Sequence, residues 1–169
     1  WPTGLEGKRF RDPTLRSMPA ESGEHCSAFA AVGPATADGK VVFGHVTMFG
    51  LHLANHFNVW IDIVPEKGRR LVMQTFPGGI HSGMDYYLND AGIIMAETTF
   101  KQTRFDPKGR PLASRVRHAM QYGESIEQVC DILKTENNGL YANEWILADV
   151  HRNEIALFLL GTHESKLIR

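Results

Sequence analysis

Cys26 lies in the stretch GEHCSAF, between a polar segment and an apolar run that reads as a strand. A thiol in that position has two readings. One is a small buried hydrophobe, the commoner use of a free cysteine. The other is a nucleophile that becomes the first residue of a chain once the His25–Cys26 bond is cut. A nucleophilic thiol needs a base or a lowered pKa, because free cysteine has a pKa of about 8.5. A new N-terminus brings the base with it. Its α-amine, with a pKa of roughly 7.7–8.0, lies beside its own side chain and can accept the thiol proton. A cuttable lead-in that runs into a rigid strand suits this use.

The competing constellation is metal. His52 and His56 in HLANH stand four apart, a spacing that shares one face of a helix. The zincin pattern needs Glu after the first His, and this chain has Leu53 there. Further ligands would have to come from His45, Asp62 or His81, and spacing marks none of them. A surface or substrate-lining role for these histidines is therefore preferred, and neither metal nor cofactor is expected. P-loop, dinucleotide and G-x-S-x-G patterns are absent.

The chain has 169 residues, of which 43% are hydrophobic and 22% charged, which favours one globular domain with a real core. Eighteen basic residues balance nineteen acidic ones, so nothing points to a nucleic-acid partner or an acidic membrane surface. Cys26 and Cys130 are too few for a disulfide framework. No stretch reaches the ~18 apolar residues of a membrane span. The opening WPTGLEGKRFRDP lacks the apolar run of a signal peptide, and the compartment stays open.

Residues 1–25 are rich in Gly, Pro and charge and read as a lead-in. Residues 26–169 read as the domain. CSAFAAV and KVVFGHV are strands flanking the hairpin signal Asp38-Gly39. NVWIDIV and RRLVMQTF form a second pair, and DYYLN and GIIMAETTF a third around an Asn-Asp-Ala-Gly turn. Two helices follow. PLASRVRHAMQYG spaces Leu112, Val116 and Met120 by fours, and ESIEQVCDILKTENNG opens with the capping pair Ser125 and Gln128. Cys130 falls on the apolar stripe of the second helix and reads as core. A last hairpin joins EWILADV to NEIALFLL through His151-Arg152-Asn153. Strands, two helices, then strands make an α+β protein rather than alternating βαβ units.

HCSAF, GHVTMF, FPGGIHSGMDYYL, GIIMAETTF and NGLYANEWILAD occur in an order that resembles the phospholipase B-like proteins. Those proteins are grouped with the acyl-CoA:6-aminopenicillanic acid acyltransferase type of N-terminal nucleophile (Ntn) hydrolases. The resemblance covers roughly residues 25 to 160. It implies an αββα four-layer sandwich, complete or in a partial or compact version, because only 144 residues run from Cys26 to Arg169.

The resemblance also implies roles. Cys26 is the nucleophile, freed by self-cleavage after His25. His45 corresponds to the histidine of the family's Ala-His-Asn-Thr-Trp segment, where this chain has Val46 and Met48 in place of Asn and Trp. Met48 and Asp85 then bear on the substrate pocket. Thr98 and Thr99 match the paired threonines, and Asn143 matches an asparagine that donates to the developing oxyanion. Blander roles exist for each: a core histidine bonded to a carbonyl, strand-forming threonines, a turn asparagine, an aspartate holding a loop. The implied activity is hydrolysis or acyl transfer at an amide or ester of an N-acyl or lipid-like small molecule. A non-catalytic binding protein on the same fold is the alternative. Self-association or a companion chain is an expected partner, given the short domain.

Overall fold

The computed structural model describes residues 25–99 and 104–169. The lead-in over 1–24 lies outside the described residues, so the expected boundary is seen only from its domain side.

Two antiparallel sheets form. The first is a hairpin of β1 (His25–Ala31) and β2 (Val42–Met48). Cys26 stands opposite Thr47 and Ala28 opposite His45. The connection turns at Gly39, whose φ of 72° explains why glycine follows Asp38 there. The second sheet has seven strands in sequence order: β3 (Val59–Ile63), β4 (Leu71–Thr75), β5 (Tyr86–Asn89), β6 (Ile93–Thr98), β7 (Glu144–Asp149), β8 (Glu154–Leu160) and β9 (Ser165–Ile168). A single turn, α1 (Leu51–Ala54), separates the two sheets in the chain. Between β6 and β7 run α2 (Leu112–Tyr122) and α3 (Ile126–Lys134).

Strand alternation assigns the faces of the large sheet. Leu71, Met73, Tyr87, Ile93, Met95, Trp145, Leu147 and Phe158 point to the helices and meet Val116, Met120, Val129 and Leu133 in one buried cluster. Full burial of each large apolar side chain contributes about 1.5–3 kcal/mol. Cys130 belongs to this cluster, as its helical position predicts. The Ser125 hydroxyl accepts from the Gln128 N–H while the Gln128 side chain accepts from the Glu124 N–H, the reciprocal cap read from sequence. Arg115 is buried on α2, and its guanidinium donates to the carbonyls of Arg110, Leu133 and Leu140. It ties both helices to the loop before β7.

The hairpin β1–β2 covers the other face, against β6 and β7. Tyr86 on that face stacks on His45 and tilts against Phe43. The described residues thus form three layers: helices, seven-stranded sheet, two-stranded sheet. The α+β class holds. Strand β9 was not evident in GTHESKLIR, because four residues with one half-buried side chain carry almost no alternation signal.

Candidate functional site

Alternation along β1 and β2 turns Cys26, Ala28, Phe43, His45 and Thr47 inward to the large sheet, and turns Phe29, Val42, Val46 and Met48 out to solvent. Cys26 therefore faces the end of β6, where Glu97 lies. Across from Glu97 is Asp85, just ahead of β5. The Glu97 N–H donates to the Asp85 carbonyl at 3.1 Å, which extends the β5–β6 register by one pair. Asp85 holds a left-handed φ of 54°. The loop before it is fixed by Ser82, whose hydroxyl oxygen accepts from the N–H groups of Met84 and Tyr86. The Tyr87 hydroxyl accepts from the Ser82 N–H at 2.9 Å.

The Cys26 sulfur and one carboxylate oxygen each from Asp85 and Glu97 lie within 4.8 Å of one another. Two carboxyl groups opposite each other in a ladder repel when both are ionised. Burial pushes the Glu97 carboxyl up to about 8, and the neighbouring Asp85 adds to the rise. Burial lifts Asp85 to about 6, while its hydrogen bond with Glu97 pulls the other way. The two carboxyl groups titrate as a pair, and burial together with their mutual repulsion makes the pair hold a proton more tightly than free carboxylates do. The Thr99 hydroxyl donates to Glu97 Oε1 at 3.0 Å.

This setting acts on the thiol. Burial, then the charges of Glu97 and Asp85, raises the Cys26 pKa to about 11. Hydrogen bonds from the Thr47 hydroxyl and the Met48 main chain oppose the rise without overcoming it. In the uncut chain Cys26 is a protonated thiol. His45 does not change that. Its Nε2 lies 2.9 Å from the Glu97 carbonyl oxygen, and burial holds its pKa below the ordinary value.

A cleft of about 380 Å³ opens beside this cluster, walled by Phe43, His45, Thr47, Trp60, Met84 and Tyr86. Thr47, the cross-strand partner of Cys26, stands in its wall, and Met84 is the chain neighbour of Asp85. Val46 and Met48 face outward and do not line it. Asp85 sits in the cluster rather than in the wall. Asn143 is buried, and its carbonyl accepts from the Leu160 N–H. One step before the Glu144↔Thr98 pair, it lies at the same end of the sheet as Glu97 and Thr99. The Thr98 hydroxyl lies 3.4 Å from Glu144 and takes no part in the cluster. The His52 and His56 rings meet edge to face at 5.5 Å, outside the potential-ligand cluster found among the described residues. Sequence reasoning passed over Glu97, Thr47, Trp60 and Tyr86. The signal for Glu97 was an acid inside the apolar strand GIIMAETTF, a place where an acid is almost never fully buried without a partner.

The family model described as phospholipase B matches residues 5–157. The chain belongs to the phospholipase B family. Among its relatives, phospholipase B-like 1 of Homo sapiens is 26% identical over 138 residues, covering 76% of this chain and 25% of that protein. Phospholipase B of Crotalus adamanteus is 26% identical over 159 residues, covering 85% of this chain and 28% of that one. An uncharacterized protein of Archaeoglobus fulgidus is 25% identical over 122 residues, covering 71% of this chain and 20% of that protein. The chain spans about a quarter of the length of these relatives. Membership fits the α+β architecture, and no described helix is long and apolar enough to cross a membrane.

Proposed function

We propose that this chain carries the nucleophile of an Ntn-type hydrolase in which Cys26 attacks an amide or ester carbonyl of an N-acyl or lipid-like substrate. The observation that carries the reading is the inward-facing Cys26, set against a proton-sharing carboxyl pair beside a cleft. The phospholipase B names of the relatives favour a lipid-related acyl substrate.

In the uncut chain the ionised carboxylate of the pair takes the thiol proton. The sulfur then attacks the His25 carbonyl carbon, the peptide C–N bond breaks, and Cys26 nitrogen leaves protonated. Water hydrolyses the thioester and frees the His25 carboxylate. The new α-amine then serves as the base for turnover on substrate, a base that the uncut chain lacks, which makes the precursor a zymogen. Turnover repeats the chemistry on substrate. Cys26 forms the thioester, while Asn143 and main-chain N–H groups hold the oxyanion. Thr99 keeps Glu97 in place. Water, or an acyl acceptor in a transferase version, resolves the intermediate. Such a protein would complete the αββα sandwich with a further helical layer.

The test is acyl-enzyme trapping. Protein cut before Cys26 is treated with an activated N-acyl ester, and peptide mass spectrometry locates the added acyl group. The expected site is Cys26. Protein that stays one full-length species and takes up no acyl group would instead be the non-catalytic binding form.

A further inference from the structure

We propose that Cys26, Asp85 and Glu97 form a binding site for a thiophilic divalent cation, with Zn²⁺ the best fit, and that the bound ion holds the nucleophile out of action. The three residues offer one sulfur and two carboxylate oxygens, all within 4.8 Å of one another. That is a mixed soft and hard donor set of the kind that Zn²⁺ accepts, whereas Mg²⁺ and Ca²⁺ favour oxygen alone. Zinc bonds of about 2.3 Å to sulfur and 2.0–2.2 Å to oxygen put tetrahedral donors roughly 3.4–3.6 Å apart. The cluster therefore needs side-chain movement of about an ångström to close on an ion.

A second observation comes from Glu97. The residue is 0% exposed, and Thr99 satisfies Oε1, but Oε2 is buried and finds no donor other than the Asp85 carboxyl with which it shares a proton. Its neighbour is another carboxyl group, which offers no proton when ionised. Burying a bare carboxylate oxygen is strongly unfavourable, so a positive species belongs between Glu97 and Asp85. In the metal-free protein that species is a proton. A divalent ion replaces it and draws in the Cys26 sulfur from the third side.

The exchange balances. Near neutral pH the ion enters, the Cys26 thiol releases its proton, and the Glu97–Asp85 pair releases what proton it holds. With its sulfur lone pair on the metal, Cys26 cannot attack a carbonyl. The metal site itself does not need the hydrolase reading, because binding is read on the uncut chain without turnover, whereas the silencing of the nucleophile rests on that reading.

The experiment is a titration of the full-length chain with Co²⁺, then Zn²⁺, under a non-coordinating reductant. We expect a saturable thiolate-to-cobalt charge-transfer band at one equivalent, abolished by Zn²⁺. Calorimetry in two buffers of different protonation enthalpy should show net proton release on Zn²⁺ binding, because a thiol binds the ion as thiolate. Cys130→Ala and His52→Ala should keep the band, Cys26→Ser should lose it, and Glu97→Gln or Asp85→Asn should weaken Zn²⁺ binding roughly tenfold or more. Absence of the band from the parent protein overturns the proposal whatever the variants do. So does a band that survives Cys26→Ser, or Zn²⁺ binding lost only in His52→Ala. If these results fail while Cys26 is still acylated in trapping, only the metal site falls.

Discussion

The His45 ring is committed to the main chain of Glu97: its Nε2 lies 2.9 Å from that carbonyl oxygen. A carbonyl only accepts, so Nε2 carries the proton and neutral His45 presents a bare Nδ1, 3.4 Å from the Thr47 hydroxyl. The imidazole thus braces the end of β6 against the hairpin. In the proposed mechanism, the proton chemistry at Cys26 therefore falls to the carboxyl pair and to the α-amine that a cut would create.

Cys26→Ala should leave the chain uncut. The parent is expected to separate into two pieces at His25–Cys26, and the variant to give one full-length mass. Cutting that persists at that bond in Cys26→Ala would assign the work to an outside protease.

Asn143→Ala should lower the acylation rate by roughly 10²–10³, with substrate affinity nearly unchanged, because an oxyanion donor acts only as charge develops. Asn143→Asp keeps the size but puts a negative charge at the oxyanion, and should do at least as much harm. Single-turnover acylation of cut protein reads both. Near-normal rates with a lowered melting temperature would make Asn143 a structural residue of the turn before β7.

The carboxyl pair makes stability depend on pH. Glu97 and Asp85 bind protons more tightly folded than unfolded, so their contribution is fully present below about pH 4. It is lost as pH rises through about 6 and then about 8. His45 and His81 are held below their ordinary values and act in the opposite sense. Comparison with Glu97→Gln isolates the carboxyl. Denaturant unfolding from pH 5 to 9 should show the parent losing stability relative to the variant as pH climbs. A constant difference between the two would mean that Glu97 is already ionised at pH 5.

Trp60→Ala should raise KM roughly tenfold and spare kcat, since Trp60 walls the cleft and packs edge to face on Tyr86 without touching the thiol. Steady-state kinetics decide it. Unchanged KM would place the substrate elsewhere.

Cys130→Ala should lose about 1–2 kcal/mol of stability, since it leaves a small gap between α3 and the sheet. Processing should continue, as measured by mass. Loss of processing in a folded variant would give this buried thiol a role beyond packing.

The elements that sequence made legible are those with strong local signals. The capped helix after Ser125 and the alternation in EWILADV rest on neighbours in the chain and are present, and the hairpin read at Asp38-Gly39 forms too, but through a longer connection over 32–41 with a 3-10 turn at Gly33–Ala35 rather than a tight turn. The strand that carries Cys26 was legible from the change of composition there, and the structure places the thiol inward on β1. Glu97 was not, because its meaning depends on Asp85, twelve residues away across a ladder, and on a hairpin that arrives from another sheet. Outward-facing Val46 and Met48 teach the same lesson. Their departure from the family pattern looked like a change of pocket, until the register of β2 against β1 turned them to solvent.

The seven-stranded sheet runs in strict sequence order, and Cys26 is not part of it. Strands β3 to β9 are locked to one another by ladder hydrogen bonds, with the helices pressed against one face. Among the described residues the hairpin that holds Cys26 has no ladder bond to that sheet and stays by side-chain packing and by side-chain hydrogen bonds, from His45 to the Glu97 carbonyl and from Thr47 to the Met84 carbonyl. Amide protons of β1 and β2 will therefore exchange with solvent through local opening events, well before those of β6 and β7 exchange through global unfolding. That order of exchange would make the end of the molecule that bears Cys26 a cooperative unit of its own, able to lift and reseat while the rest of the fold remains intact.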